Sequence, residues 1–268
     1  MNTDVATLHR GSLPLLVSFP HVGTVIPQEV TTQLVKSALA VADTDWHLES
    51  LYAFVRELGA STLVPRISRY CIDLNRPPEN TPMYAGANNT ELCPTRAFSG
   101  KPIYRKGKAP DAAEVERRLQ RYWRPYHDAL ADELARLKAV HGYALLFDAH
   151  SIKSELPWLF DGRLPDLNLG TVAGESCDVS LRDAVSRVLQ AQSRYTHSVD
   201  GRFKGGYITR HYGRPREGVQ AVQLEMAWRC YMAEAPPYEI DEARASGVRP
   251  LLAALIEAML AHGAPAGS

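Results

Sequence analysis

The sequence predicts an α/β protein, with helices covering a mostly parallel or mixed sheet, and three observations predict it. Short apolar runs bounded by turn signals recur at Leu13–His21, Tyr143–His150 and Ala221–Met226, as buried strands do. Segments with helical spacing alternate with them, which is the βα pattern of a sheet covered by helices. No internal repeat and no linker composition interrupts the 268 residues, so residues 1–268 are expected to form one domain.

Taken in order, the first run ends at His21 and is followed by the turn-rich Val22-Gly23-Thr24 and Pro27. Asp45 to Leu58 carries Leu48, Leu51, Tyr52, Val55 and Leu58 on one helical face, with Gly59 as the stop. Ser61 to Val64 and Tyr70 to Leu74 read as short strands, the second ending in Asn75-Arg76-Pro77-Pro78. Pro77 to Pro110 is rich in proline and lacks periodicity. An irregular stretch of that length reads as a lid or binding loop. Asp111, with Glu114 three residues on, opens a long helix to Gly142 that Pro125 should kink or interrupt. After the run to His150, Leu156 to Glu175 reads as a loop, Leu181 to Gln192 as a helix, and Gly201 to Gly218 as a mobile glycine- and arginine-rich flap. The run through Glu225 follows. Asp241 to His262 is a last helix, disturbed by Pro250.

Composition excludes several classes. Thirty basic residues balance thirty acidic ones, which argues against a nucleic-acid partner. No stretch approaches the roughly 18 apolar residues of a membrane helix. Met1 to Gly11 lacks an apolar signal core, so a cytoplasmic location is expected. Four cysteines form no CxxC pair and read as reduced, scattered thiols. HExxH, GxSxG and P-loop signatures are absent.

Two apolar runs stop on a histidine and a third carries a glutamate. In an open α/β sheet ligands sit beyond the carboxyl ends of strands. His21, His150 and Glu225 at one sheet edge would make a catalytic metal site with a general base. Singly, each has a plainer reading: a turn or core histidine, or an outward-facing glutamate on an edge strand. A third ligand must come from elsewhere, and Asp45, His47 and Glu49 all begin one helix. Arg69, Asn75 and Arg76 bracket a strand end, where an arginine fork could grip a carboxylate or merely form a surface ion pair. Arg202, Lys204, Arg210, His211, Arg214 and Arg216 make the glycine-rich segment either an anion-closing flap or a solvated basic loop.

Six ordered strings then carry a resemblance: Ser18-Phe19-Pro20-His21-Val22-Gly23; Asp43-Thr44-Asp45-Trp46; Ser68-Arg69-Tyr70 with Asp73-Leu74-Asn75-Arg76-Pro77; Phe147-Asp148-Ala149-His150-Ser151; Gly205 to Gly213; and Gln223-Leu224-Glu225-Met226. From about Leu13 to about Leu260 the chain resembles the N-formylglutamate deformylases. The resemblance implies a three-layer, zinc-carboxypeptidase-like α/β fold shared with aspartoacylases and desuccinylases. It implies one zinc ion on His21, His150 and an acid, Glu225 as base, and substrate contacts from Asn75 and Arg76. A dianionic substrate needs two cationic or donor clusters, so Arg69 is expected beside Asn75 and Arg76, and the Arg202–Arg216 segment, with Arg210, His211 and Tyr212, at the other carboxylate. The wider superfamily keeps its acidic ligand three residues after the first histidine, where this chain has Thr24. Asp45 is therefore the expected second ligand, and His47 the next choice. The implied reaction is hydrolysis of N-formyl-L-glutamate to L-glutamate and formate in histidine degradation. A hydrolase of another N-acyl acidic amino acid, a carboxypeptidase-like peptidase and a non-catalytic binder of acidic amino acids are the alternatives. The partner in the first and last cases is a small acidic molecule, and the sequence leaves the oligomeric state open.

Overall fold

The computed structural model describes residues 5–83 and 88–264. Residues 84–87 of the irregular 77–110 stretch lie outside it, as do both extreme termini. Seven strands form one sheet: β1 (Ala6–His9), β2 (Leu15–Ser18), β3 (Ser61–Pro65), β4 (Ala144–Ile152), β5 (Leu167–Gly170), β6 (His197–Val199) and β7 (Val219–Ala227). Their order across the sheet is β1-β3-β2-β4-β7-β5-β6. The β1/β3 and β5/β7 pairs are antiparallel and the rest parallel, giving the expected mixed, mostly parallel sheet. The helices are α1 (Gln28–Thr31), α2 (Leu48–Leu51), α3 (Phe54–Leu58), α4 (Ala112–Arg118), α5 (Arg124–His141), α6 (Val179–Gln190), α7 (Tyr207–Tyr212) and α8 (Glu242–His262), joined by short 3₁₀ turns and one π turn at Leu119–Trp123.

Side chains alternate across a strand, so the two faces of the central strands bury different sets. Leu15, Val17, Leu145, Phe147, Val222 and Leu224 pack against α2, α3, α6 and α8. Leu16, Ala144, Leu146 and Ala221 pack beneath Tyr126, Leu130, Leu134 and Leu137 of α5. Helices on both faces make three layers. The α5 face changes character along the strands. It is apolar at their amino ends and turns polar at Ser18, Asp148, His150, Gln223 and Glu225, all of them buried. Ser18 is in register with Asp148, Asp148 with Gln223, and His150 with Glu225. The pairing of three separate strands thus gathers these groups at one carboxyl edge.

Several elements differ from expectation. Tyr70 to Leu74 is buried but is not a strand. Its amides bond outside any ladder instead, Cys71 N–H to the nearby Ser68 carbonyl, Asp73 N–H to the distant Leu92 carbonyl, and the next amide, Asn75 N–H, to the Asp73 carboxylate. Apolar spacing reported burial there, not a ladder. The Asp45–Leu58 stripe is split into α2 and α3, with His47 in the left-handed region at φ 61°. Asp111 caps α4 by accepting the Glu114 N–H, and the π turn widens the helix ahead of Pro125 so that it continues instead of breaking. Likewise α8 runs unbroken through Pro250. The 156–175 loop contains β5, and the 201–218 flap contains α7, whose Ile208 and Thr209 are buried. The edge strands β1 and β6 were not anticipated; they are four and three residues long. Among the described residues no helix is long and apolar enough to cross a membrane.

Candidate metal centre and active site

His21 lies in the turn just beyond β2, Asp45 in the loop before α2, and His150 near the end of β4. A backbone bond from Asp45 N–H to the His21 carbonyl (3.0 Å) ties the first two loops together. Ligand atoms of all three side chains lie within 4.8 Å of one another, and all three residues are buried. Both imidazoles turn Nδ1 toward the same carboxylate: His21 Nδ1 is 3.7 Å and His150 Nδ1 3.2 Å from Asp45 Oδ2. Their outer nitrogens are held from behind. His21 Nε2 is 2.7 Å from Asp73 Oδ1, and His150 Nε2 is 2.9 Å from Asp148 Oδ2. A carboxylate behind an imidazole fixes its ring and leaves the forward nitrogen's lone pair for a metal.

Two atoms in this cluster lack hydrogen-bond partners although buried, His21 Nδ1 and Asp45 Oδ1. Orphaned buried polar atoms are costly and uncommon. Two imidazole nitrogens and a carboxylate oxygen converging on one point are also the donor set of a catalytic zinc site with an open position. The residues therefore fit a divalent cation. The electrostatics agree. Burial alone would raise the Asp45 carboxyl, yet the hydrogen bonds and charge of His150 and His21 hold it well below the usual carboxylate range. Burial would likewise raise Asp73, but the charges of His21 and Arg69 bring it well below that range. Burial would lower His150, whereas Asp148 and then Asp45 push it well above its ordinary value. The pocket is acidic and attracts positive charge, whether as a proton on His150 or as a cation.

Glu225 sits beside His150 across the β4/β7 pair, and its carboxylate accepts no hydrogen bond from the described residues. Burial, reinforced by Asp45 and opposed by His150, pushes it up to about 8. A cation in the neighbouring cluster would favour its ionised form.

The cavity over this cluster is also lined by three arginines. Buried Arg69 donates to Asp73 Oδ2 (2.8 Å) and lies 4.5 Å over the Phe98 ring. Arg76 donates to the Thr90 carbonyl, the Thr90 hydroxyl and the Asn75 carbonyl, and among the described residues no carboxylate lies within ion-pair distance of it. Arg202 donates to the Leu159 carbonyl and lies over Phe160. Asn75 Nδ2 donates toward Asp148 Oδ2 (3.4 Å) and lies 2.9 Å from His150 Nε2, while its Oδ1 accepts the Ile208 N–H (2.8 Å). Gly206 is required here, because a Cβ would meet the Asn75 amide at 2.2 Å. Phe98, Phe160 and Phe203 supply apolar wall.

The structure thus brings together His21, Asp45, His150, Glu225, Arg69, Asn75 and Arg76. It does not bring Arg210, His211 and Tyr212 to the cavity, against expectation. The segment folds as α7, whose first turn docks on Asn75 and whose later residues turn away. Arg210 donates to the Gly205 carbonyl and faces a separate groove, His211 stacks on Tyr207, and the Tyr212 hydroxyl meets His127. His47 is also excluded, since its left-handed backbone turns the ring away to the Tyr238 carbonyl. Glu49 pairs with Arg56, and Thr24 is exposed at another groove. Asp73, Asp148 and Phe98 are site residues that the sequence reading did not single out. Asp73 and Asp148 carried the same signal as Glu225, a carboxylate set inside a buried run.

Comparison with known proteins gives concordant results. A family profile described as N-formylglutamate amidohydrolase matches residues 13–232. The chain is 52% identical over 260 residues to the N-formylglutamate deformylase of Pseudomonas aeruginosa, covering 97% of each. It is 48% identical to the N-formylglutamate deformylase of Pseudomonas putida, again covering 97% of each. A crystal structure of an N-formylglutamate amidohydrolase from Ralstonia eutropha JMP134 superposes with a TM-score of 0.79 at 28% identity, over 96% of this chain and 98% of that one. A gene product from Agrobacterium tumefaciens shares the fold, with a TM-score of 0.73 at 19% identity, over 96% and 95% of the two chains.

Proposed function

The chain belongs to the N-formylglutamate amidohydrolase family, and from that premise we propose that it cleaves N-formyl-L-glutamate to L-glutamate and formate at a divalent-metal site held by His21, Asp45 and His150. The observation that carries the metal assignment is the convergence of two carboxylate-backed imidazoles on Asp45, next to a glutamate in register with His150. Zinc is the ion that this nitrogen and oxygen donor set suits. When bound it supplies Lewis-acid polarisation of the formyl carbonyl and acidifies the attacking water.

The chain's own residues do the rest. Glu225 accepts the proton of the attacking water and returns it to the departing amine nitrogen as the C–N bond breaks. Asp73 and Asp148 keep the two imidazoles in the tautomer that presents Nδ1. The substrate is a dianion, so two cationic anchors are needed beyond the reacting carbon. Arg76 with Asn75 forms one, and Arg202 the other. Arg69, clamped between Asp73 and Phe98, faces the developing negative charge. The phenylalanine walls thin out competing water. Residues 1–268 act as one catalytic unit in this reading, in the cytoplasm and in histidine degradation.

The test pairs metal analysis with formate release. Protein as purified should carry about one divalent metal per site, lose turnover on chelation and regain it with zinc. Comparison of N-formyl-, N-acetyl- and N-succinylglutamate should show the formyl substrate turned over fastest. Full turnover by metal-free protein would overturn the metal assignment, and equal turnover of the three substrates would overturn the acyl specificity.

A further inference from the structure

We propose that the π turn at Leu119–Trp123 is a positioning device for the substrate-binding segment. It brings Arg118, Trp123 and His127 onto one helix face, from which their N–H groups fix the backbone carbonyls around Asp73, Asn75 and Arg76. Arg118 donates to the Cys71 carbonyl (3.0 Å), His127 Nε2 to the Leu74 carbonyl (2.8 Å), and Trp123 Nε1 to the Arg76 carbonyl (3.0 Å). The inference rests on the reading that Arg76 grips a substrate carboxylate.

The geometry requires the wide turn. In a regular α-helix, residue i+5 lies about 140° around the axis from residue i, and residue i+9 about 180°. Arg118 has those offsets from Trp123 and His127 and would point away from both, while Trp123 and His127, four residues apart, already share a face. The Arg124 N–H instead bonds the Leu119 carbonyl five residues back, and this one wide turn returns position i+5 to the face of position i. Pro125 shows how the widening is tolerated, since it brings no N–H of its own. The three donors show what the widening does.

Their targets lie in the buried 71–75 stretch and the half-buried Arg76 after it, which have no strand ladder to hold them. Each fixed carbonyl belongs to a site residue or its near neighbour: Leu74 lies between Asp73 and Asn75, and Arg76 is itself an anchor. The donors are also locked. Arg118 is fully buried and held by Glu114 and the Tyr104 hydroxyl. His127 stacks on Trp123 at 3.7 Å and on Tyr212 at 5.8 Å. A carbonyl can only accept, so His127 Nε2 carries the proton. Neutral His127 then accepts at Nδ1 from the Tyr212 hydroxyl (2.9 Å), which fixes the tautomer. Burial keeps this ring neutral by pushing its pKa down to about 3.

The experiment is steady-state kinetics of Trp123→Phe, Tyr212→Phe and Arg76→Lys, with thermal melting as control. The substrates are N-formylglutamate, N-formylglutamine and N-formylglutamate α-amide. Trp123→Phe keeps an aromatic ring and removes one N–H. Its KM for N-formylglutamate should rise about 2- to 12-fold, the weight of one such bond, with kcat changed less than about twofold. The defect should vanish on the same amide analogue that abolishes the Arg76→Lys defect. Tyr212→Phe releases the His127 tautomer and should show the same pattern more weakly, and it decides the matter if Trp123→Phe fails to fold. A defect equal on all three substrates, or no defect, would overturn the proposal while leaving the Arg76 reading intact. If Arg76→Lys itself shows no substrate-selective loss, the Arg76 reading fails first and the positioning proposal falls with it.

Discussion

Replacing Asp73 by asparagine should weaken metal binding about 10- to 100-fold, although residue 73 touches no metal in the proposed site. Asp73 Oδ1 accepts from His21 Nε2 at 2.7 Å and from the Asn75 N–H at 2.9 Å, while Oδ2 accepts from Arg69 at 2.8 Å. All three partners are donors, and an amide has only one acceptor oxygen. If the new oxygen faces His21 and Asn75, its NH2 confronts the Arg69 guanidinium. If it faces Arg69, its NH2 confronts the His21 Nε2–H, and relief comes from moving the imidazole proton to Nδ1. That tautomer has no lone pair to give a cation. The first arrangement loses a charge-assisted bond worth about 1.5–3 kcal/mol, and leaves buried Arg69 a long 3.5 Å bond to the Asp43 carbonyl and its 3.6 Å approach to Asp45. The second removes a ligand outright. A chelator-competition titration measures the zinc affinity. Turnover at saturating zinc and thermal melting then separate a metal effect from an Arg69 packing effect. Wild-type zinc affinity in a folded Asp73→Asn protein would refute the reasoning, because it would mean that His21 needs no partner behind it.

Other variants probe neighbouring links. Glu225→Gln is nearly isosteric and should keep zinc and substrate binding while kcat falls by about 10²–10⁴, measured by formate release with KM and metal content alongside. Near-normal kcat would return Glu225 to a structural role. Asp45→Asn should weaken zinc binding in the same titration, whereas His47→Gln should leave it unchanged, because the His47 ring bonds the Tyr238 carbonyl away from the cluster. The reverse order would make His47 the ligand. Glu133 lies far from the site on α5, buried between Ser61, Arg136 and Arg10. Burial opposes its ionisation, but these partners hold its carboxyl below the ordinary 4.5. A depressed carboxyl stabilises the fold above its unfolded-state value, and that stabilisation is lost as pH falls through the folded-state value. Glu133→Gln should therefore lower the melting temperature at pH 7, and the gap to wild type should close as pH falls below about 4.5. A constant gap would mean that the loss is one of packing alone.

What the sequence made legible, and what it hid, follows one physical line. The strands ending at His150 and Glu225 could be read because an apolar run broken by an ionisable residue is expensive unless something compensates it. That argument needs only neighbours in sequence. The choice between Asp45 and His47 did not yield to it, since both precede the same helix and the decision lies in one left-handed backbone angle at His47. Tyr70 to Leu74 failed for the opposite reason. Its burial was real, but its hydrogen bonds go to a loop and to a helix distant in sequence, and no spacing encodes that. Arg210, His211 and Tyr212 were misplaced because charge and glycine content said nothing about which end of a six-residue helix would dock on Asn75.

A buried carboxylate alone did not mark the site, and Glu133 shows why. Its oxygens accept from a serine and an arginine of the same domain face, and a second arginine lies within ion-pair distance, so its burial is compensated. Asp45 Oδ1 is buried with no hydrogen bond, and the Glu225 carboxylate accepts none from the described residues. Asp73 and Asp148 are well satisfied, but by imidazoles whose own forward nitrogens crowd the same point. The distinguishing property is thus incomplete satisfaction directed at one place. The fold leaves His21 Nδ1 and Asp45 Oδ1 buried without hydrogen bonds, in a cluster of His21, Asp45 and His150 ligand atoms that lie within 4.8 Å of one another, while it pairs Glu133 fully, and such a gap suits the proposed cation. If that is so, filling the gap should stabilise the protein as well as activate it. Zinc at a hundred times its dissociation constant should add about 2.7 kcal/mol to the unfolding free energy and raise the melting temperature accordingly. The His150→Ala variant should lose that shift along with its activity, and a zinc-induced shift of undiminished size in that variant would place the ion elsewhere.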